Sequence, residues 1–374
     1  MVFLQHHDSS HKKDINELVN DVKLRKSDKS KEIYDRKILE SLEEQDQVPE
    51  FVIDEDFLRN SFSYQMHGVL KHLLEKVPDK FEQYFQNQTE KIPYIFMTDC
   101  EQVALLLMEK YPPETWKLPF RNQLNENILH HFISQGFQHA ILYLLDNHEI
   151  FDLCLDENSA GNTPLMTMIS QNESEMSLKM WDYMYEMDCF RLLGKIKHKN
   201  KSNKNILHLC TEFRQYQLLR SIVSIMTTHS VFKEEIISAF NESFPDGRKL
   251  FDRLLNEEAL VQLFDIIGRE NIRLDYFDIK GNNVLHRLSQ MDYVDTIKSI
   301  FTETKDFIFK NLVFEKNGNG NNPLMSAAVS NSNHSLCYML YKDAIVKLTS
   351  LENEELLHHK NNFGETLLGL VLRQ

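Results

Sequence analysis

Glycine and proline are scarce in this 374-residue chain, at 11 and 9 residues. So few turn-formers exclude an all-β architecture, which needs many tight turns. They predict helices joined by short polar connections instead. Long apolar runs are also missing. The best of them, Val103-Ala104-Leu105-Leu106-Leu107-Met108, stops at Glu109 and Lys110, far short of the ~18 residues of a membrane-spanning helix. No basic stretch with an apolar core opens the chain, so neither a secretory signal nor membrane insertion is expected. The five cysteines (Cys100, Cys154, Cys189, Cys210 and Cys337) are odd in number, far apart and never in CxxC spacing. That usage predicts reduced thiols in an intracellular protein, cytoplasmic or nuclear.

Catalytic signatures are missing too. No HExxH, GxGxxG, GxSxG or kinase signature set is present, so no metal, cofactor or catalytic residue is nominated, and the chain reads as non-enzymatic. Basic residues do not predominate: 42 Lys and Arg face 56 Asp and Glu, for a net charge of −14. An acidic surface disfavours direct nucleic-acid binding, where cations must displace counterions from phosphates. It suits a protein partner with a basic segment, or solubility alone.

Three regions emerge. Residues 1–48 form a polar, densely charged arm, partly helical or disordered, with Ile15, Leu18, Val19 and Val22 at helical spacing. Its cluster Lys23, Arg25, Lys26, Lys29 and Lys31 reads either as a nuclear-import signal or as a solvated helix face. Residues 49–119 read as a helical cap with degenerate first repeats, where Thr98-Asp99-Cys100-Glu101 makes a capped helix start before Val103.

Residues 120–374 repeat a phrase: a polar residue, an apolar residue or proline, leucine, then histidine or methionine. Good copies are Asn127-Ile128-Leu129-His130, Thr163-Pro164-Leu165-Met166, Asn205-Ile206-Leu207-His208, Asn283-Val284-Leu285-His286 and Asn322-Pro323-Leu324-Met325. Lys249-Leu250-Phe251-Asp252 and Thr366-Leu367-Leu368-Gly369 are degenerate. Gly161, Gly247, Gly281, Gly320 and Gly364 stand two residues ahead of their phrases. Glycine there supplies a turn, Asn or Thr then caps a helix, and a second apolar helix follows. About seven such registers recur at about 40 residues, and a unit this small buries its apolar faces only by stacking on its neighbours.

The phrase resembles the ankyrin-repeat signature Gly-x-Thr-Pro-Leu-His-x-Ala, best in Gly161 to Met166 and Gly320 to Ala327. The resemblance implies an all-α, ankyrin-type helical solenoid that binds other proteins. It also implies that His130, His208 and His286 make structural hydrogen bonds between adjacent repeats. The chain departs from the family in two ways. Phe132, Met168, Cys210 and Leu288 replace the small alanine, and the repeats are lengthened around residues 190–202, 227–235 and 341–355. Those insertions are either binding features or tolerated surface drift.

The insert-rich array under a polar arm is similar to inhibitor-of-κB proteins, which implies a Rel-type transcription factor as partner. The phosphorylation signal of the classical members is missing at Asp8-Ser9-Ser10. A ubiquitin-ligase substrate adaptor is a further alternative. A concave binding face is expected from residues one or five places after the signature His or Met: His131, Gln135, Thr167, Gln171, Leu209, Phe213, Arg287 and Ser326.

Overall fold

The computed structural model describes residue 19 and residues 31–44, 55–64, 66–78, 98, 100–110, 121–147, 150–254, 256–268, 271–300, 306–341 and 349–373. The basic cluster at residues 23–29 and the helix-spaced Ile15, Leu18 and Val22 lie outside them. The described residues are helical with one isolated β-bridge, Ser243 to Lys249. The chain groups into two compact bodies, Met1–Thr167 and Met168–Gln374.

The first body opens with α1 (Lys31–Glu43), α2 (Glu55–Ser63), α3 (His67–Lys76) and α4 (Glu101–Lys110). Their apolar faces are sealed: Ile38, Phe57, Phe62, Val69, Leu73 and Val103 are all buried. Asp35 on α1 caps α3 from outside, its carboxylate accepting from the backbone N–H of Gly68 at 3.0 Å and Val69 at 2.8 Å. The first turn of a helix has free N–H groups and favours negative charge, so this contact locks α1 onto α3. Before α4, Thr98 Oγ1 accepts from the Cys100 N–H at 3.1 Å.

The repeats follow: α5 (Ile128–Gln135), α6 (Gln138–Asn147) and α7 (Phe151–Leu155); α8 (Pro164–Ser170) and α9 (Ser174–Gly194); α10 (Ile206–Glu212), α11 (Tyr216–Thr228) and α12 (Lys233–Phe240). The fourth repeat has a 3-10 turn at Leu250–Asp252 and α13 (Glu257–Ile267). The fifth has α14 (Val284–Gln290), α15 (Val294–Ile300) and α16 (Asp306–Phe314). The sixth has α17 (Pro323–Val329), α18 (Asn333–Tyr341) and α19 (Ser350–His358), and α20 (Leu367–Leu372) opens the seventh.

Each repeat begins with the same hairpin turn. Its first residue is Asn122, Asn158, Asn200, Phe244, Asp278, Asn317 or Asn361, and the N–H of that residue donates to the carbonyl four places on. In the six Asx cases the side-chain oxygen accepts the N–H groups two and four places on, for instance from Asn319 and Asn321 onto Asn317. Asn and Asp favour such turns because their side chains bond their own backbone. The fourth turn residue has positive φ every time: Asn125, Gly161, Asn203, Gly247, Gly281, Gly320 and Gly364. Asn125 and Asn203 stand where the other registers have glycine, since Asn tolerates that conformation best among the rest.

A second positive-φ residue ends the first helix in five repeats: Gly136, Asn172, Arg214, Asp292 and Asn331. Each lies 11 places after the first, and each is followed by a cap bond back over the helix end, as from the N–H of Tyr293 to the Leu288 carbonyl at 3.0 Å. First-helix length is therefore fixed, and variation in repeat length falls beyond it. Much of the variation is a third helix. It is α7, α12, α16 and α19 in four repeats, and in the second it is the last turns of α9, set off by a non-helical Asp188 at φ −159° and ψ 85°. The lengthened stretches at 190–202, 227–235 and 341–355 run into α9, α12 and α19. Among the described residues the fourth repeat has no third α-helix: residue 271 belongs to a 3-10 turn and 272 to a bend, and residues 273–277 run without helix, alternately exposed and buried like extended chain.

The core lies between the helix layers. Phe132, Phe240, Phe251, Phe264 and Phe309 are almost wholly buried, as are Cys154 and Cys210. This is an ankyrin-type, all-α helical solenoid, with the small alanine of the first helix enlarged in most repeats.

Candidate functional site

The signature residues work as joints. Asn127, Asn205, Asn283 and Asn322 each cap their first helix, the side-chain oxygen accepting from the N–H three places on. The amide nitrogen of the same side chain reaches the third helix of its repeat. Asn127 donates to the Leu153 carbonyl at 2.7 Å, Asn205 to Ala239 at 3.1 Å, Asn283 to Leu312 at 2.8 Å and Asn322 to Leu356 at 3.2 Å. In every case that carbonyl lies five places before the next turn. One side chain thus ties the first helix to the third.

The histidines tie one repeat to the next. His130 Nε2 contacts the Asn162 carbonyl at 2.9 Å, His208 the Glu242 carbonyl at 3.3 Å and His286 the Asn321 carbonyl at 2.8 Å. Nδ1 of His208 and of His286 accepts the N–H of its capping asparagine, so Nε2 carries the proton in a neutral ring. Burial, the largest cause, lowers the pKa of all three, to about 4 for His208 and His286. These are structural joints, as the resemblance implied. Among the described residues no group of three or more His, Cys, Asp or Glu side chains is placed to hold a metal ion.

The fourth repeat breaks the rule. Lys249 replaces the capping asparagine and Asp252 the histidine. The Asp252 carboxylate accepts the Lys249 N–H at 2.8 Å and also the Tyr276 hydroxyl. Burial raises the Asp252 pKa to about 6. Lys249 Nζ, almost fully buried, turns back to the Asn241 carbonyl.

Hairpin tips and the solvent side of the first helices form the candidate binding face. Within the second body the tips are cross-linked by backbone. The Ile279 N–H donates to Asp246 at 3.1 Å, Gly318 to Lys280 at 2.7 Å and Asn362 to Asn319 at 3.0 Å. Ile279 and Phe363 stand out from this ladder at 76% and 73% exposure. Val329, near the end of α17, is exposed at 59%. Ions brace the third and fourth tips: Lys204 to Glu212 at 2.6 Å, and Arg253 to Asp246 at 2.7 Å and to Glu212 at 3.8 Å. In the first body the Ser159 N–H donates to the carbonyl of Leu124, another exposed tip residue.

The sequence-nominated residues divide by position. Those five places on are solvent-facing: Gln135 and Gln171 are exposed and Phe213 half-buried. Those one place on are more covered: Thr167 and Arg287 are half-buried, and His131, Leu209 and Ser326 are buried. His131 lies 6.1 Å from the Phe132 ring and 6.4 Å from Phe137, centroid to centroid. The position after the signature residue packs, because a short first helix turns that side inward. The apolar tips at Leu124, Ile279 and Phe363 are not among the nominated residues, though each stands inside its turn, two places after Asn122, one after Asp278 and two after Asn361.

No family model matches the chain, and no curated protein matches it. Among solved structures, the ankyrin repeat domain of Bcl-3, described as a unique member of the IkappaB protein family, matches at 12% identity and a TM-score of 0.40, covering 66% of this chain and 97% of that one. A chain from the complex of the Bdellovibrio bacteriovorus predatory endopeptidase Bd0816 with immunity protein Bd3460 matches at 15% identity and a TM-score of 0.38, covering 60% and 100%. The ankyrin-type assignment rests on the repeat geometry above.

Proposed function

We propose that this chain is a non-enzymatic protein-binding module, a regulatory binder or scaffold that holds its partner along the hairpin tips and first helices. The observation that carries this reading is the backbone-bonded tip ladder with Ile279 and Phe363 held in solvent. Such side chains add nothing to the core, yet burying one against a partner yields roughly 1.5–3 kcal/mol. A rigid frame keeps the ordering cost of binding low. On this proposal Gln171, Phe213 and Arg287 extend the face in the second body, and Gln135 and Thr167 belong to the corresponding face of the first.

The test is cross-linking of the full chain in its native extract, with photo-reactive residues placed at 279 and 363. Adducts to one recurring protein, absent when the same residue is placed at exposed Lys179 on α9, support the reading. Equal, unselective labelling from all three sites contradicts it. The finer reading, an inhibitor or cofactor of a Rel-type transcription factor, rests on the sequence resemblance and is tested by whether that protein is a Rel-type factor. Recovery of ubiquitin-ligase subunits would favour the adaptor reading instead.

A further inference from the structure

The row of third helices has a gap at the fourth repeat. The third repeat contributes α12 and the fifth contributes α16, but among the described residues the fourth offers a turn at 271–272 and the extended chain of residues 273–277. Residue 273, five places before the next turn, holds the position whose carbonyl the capping asparagine clasps elsewhere. Here that cap is Lys249, whose Nζ donates to the Asn241 carbonyl instead, and the segment is held by the Asn241 side chain, which accepts from the Arg273 N–H and donates to the Asn271 carbonyl. Loss of the clasp and loss of the helix coincide.

The gap is open to solvent on both sides of the extended chain. Towards α12 lies a groove of about 530 Å³, lined by Glu234, Ile237 and Ser238 with Lys249 and Arg273. Towards α16 lies a groove of about 560 Å³, lined by Leu274, Asp275 and Phe277 against Ile308, Leu312 and Glu315. Arg273 borders both. Packed helices sit roughly 8–10 Å apart, so the space between walls one repeat to either side is about one helix wide. Its floor alternates: Ile272, Leu274 and Tyr276 are buried, while Arg273, Asp275 and Phe277 face out. Phe277 at 52% and Ile308 at 39% exposure give it an apolar seat.

We infer that this trough receives a short amphipathic helix from a partner protein, with basic residues flanking its apolar stripe. Charge selects the basic helix. Glu234, Asp275 and Glu315 are exposed acids that make no salt bridge among the described residues; of the cations lining the grooves Arg273 is exposed, while Lys249 is buried, bonds the Asn241 carbonyl and interacts with Asp275, which leaves the lining net acidic. A helix of about two turns, the length of α12 (Lys233–Phe240), would restore the row. The floor runs into the turn that begins at Asp278, so its Phe277 end adjoins the tip ladder at Gly247, but the inference does not rest on the tips binding.

The test is selection of random 16-residue peptides displayed on phage against the full chain, followed by titration of synthetic winners. The expected winners carry apolar residues at i, i+3, i+4 and i+7 with flanking Lys or Arg. They gain helical circular dichroism on binding, weaken with salt, and lose at least tenfold in affinity with Ile308→Asp and with the Asp275→Lys, Glu315→Lys pair. Retained thermal unfolding checks that the variants fold, and Asn311→Arg, on an exposed wall position, serves if Ile308→Asp does not. Winners that bind these variants undiminished, winners with strand-like alternation, or no winner sensitive to the trough overturn the inference.

Discussion

The Nε2–H of His286 donates to the backbone carbonyl of Asn321 at 2.8 Å, a bond from the fifth repeat to the turn of the sixth. The ring is neutral, and burial holds its pKa at about 4, as it does for His208. In the unfolded chain these rings titrate at 6.5. Between the two values the unfolded state binds more protons, so acid favours unfolding. Stability is fully present above pH 6.5 and falls as pH drops towards 4, by at most about 1.4 kcal/mol per pH unit per histidine. Asp252, raised to about 6, has the opposite sign: it takes a proton more readily when folded and offsets part of the loss below pH 6. Urea titrations at pH 7.5, 6.5 and 5.5 should show a shallower fall in His286→Gln than in the wild type.

The asparagine clasp separates into two parts. Asn283→Ser keeps the helix cap and loses the donor to the Leu312 carbonyl. Leaving that buried carbonyl unpaired costs about 1–3 kcal/mol. Asn283→Ala loses the cap as well, for about 1 kcal/mol more. Chemical denaturation should rank them in that order; a Ser variant as stable as the wild type would mean the clasp contributes nothing, and equal losses in the two variants would mean the same of the cap.

Two turn glycines share a conformation but not a neighbourhood. Gly320 and Gly364 both have φ +75°. A Cβ on Gly320 would lie 2.5 Å from Asn362 Oδ1 and 2.9 Å from its backbone nitrogen, whereas one on Gly364 meets nothing within 4 Å. Gly364→Ala should cost only the left-handed strain, about 1–2 kcal/mol. Gly320→Ala adds a clash with the adjacent turn and should lower the melting temperature further. The converse is Arg214→Gly, at φ 56°, which should cost little or be mildly stabilising.

Thiol reactivity follows burial. Cys154 and Cys210 are fully buried and their thiols are pushed up by burial, while Cys337 is exposed. A maleimide should label Cys337 first and reach Cys154 and Cys210 only on unfolding, as peptide mapping would show.

Much of the repeat was legible because its parts are local. A turn glycine, a capping asparagine and an apolar helix are each written within a dozen residues, so the seven registers at 127 to 366 coincide with seven observed turns. The third helices were not legible. They lie in the stretches that read as insertions, and what holds α16 is an amide from Asn283, 29 residues away. The exposure of the nominated residues was half legible. Counting from the histidine located Gln135 and Gln171 in solvent, but which side of a one-turn step is covered depends on the neighbouring repeat, and that buried Leu209 and Ser326. Lys249 reads as a degenerate phrase; that its repeat also lacks a third α-helix among the described residues appears only when the repeats are compared in three dimensions.

The central claim is that the tip ladder binds a partner. It is tested most directly by the affinity of the cross-linked partner for the wild type and for the Ile279→Asp, Phe363→Asp double variant, with Leu351→Asp on α19 as the control. Exposed positions should leave stability within about 0.5 kcal/mol. The account predicts at least a hundredfold weaker binding by the double variant and unchanged binding by the control. Wild-type affinity in the double variant would contradict it.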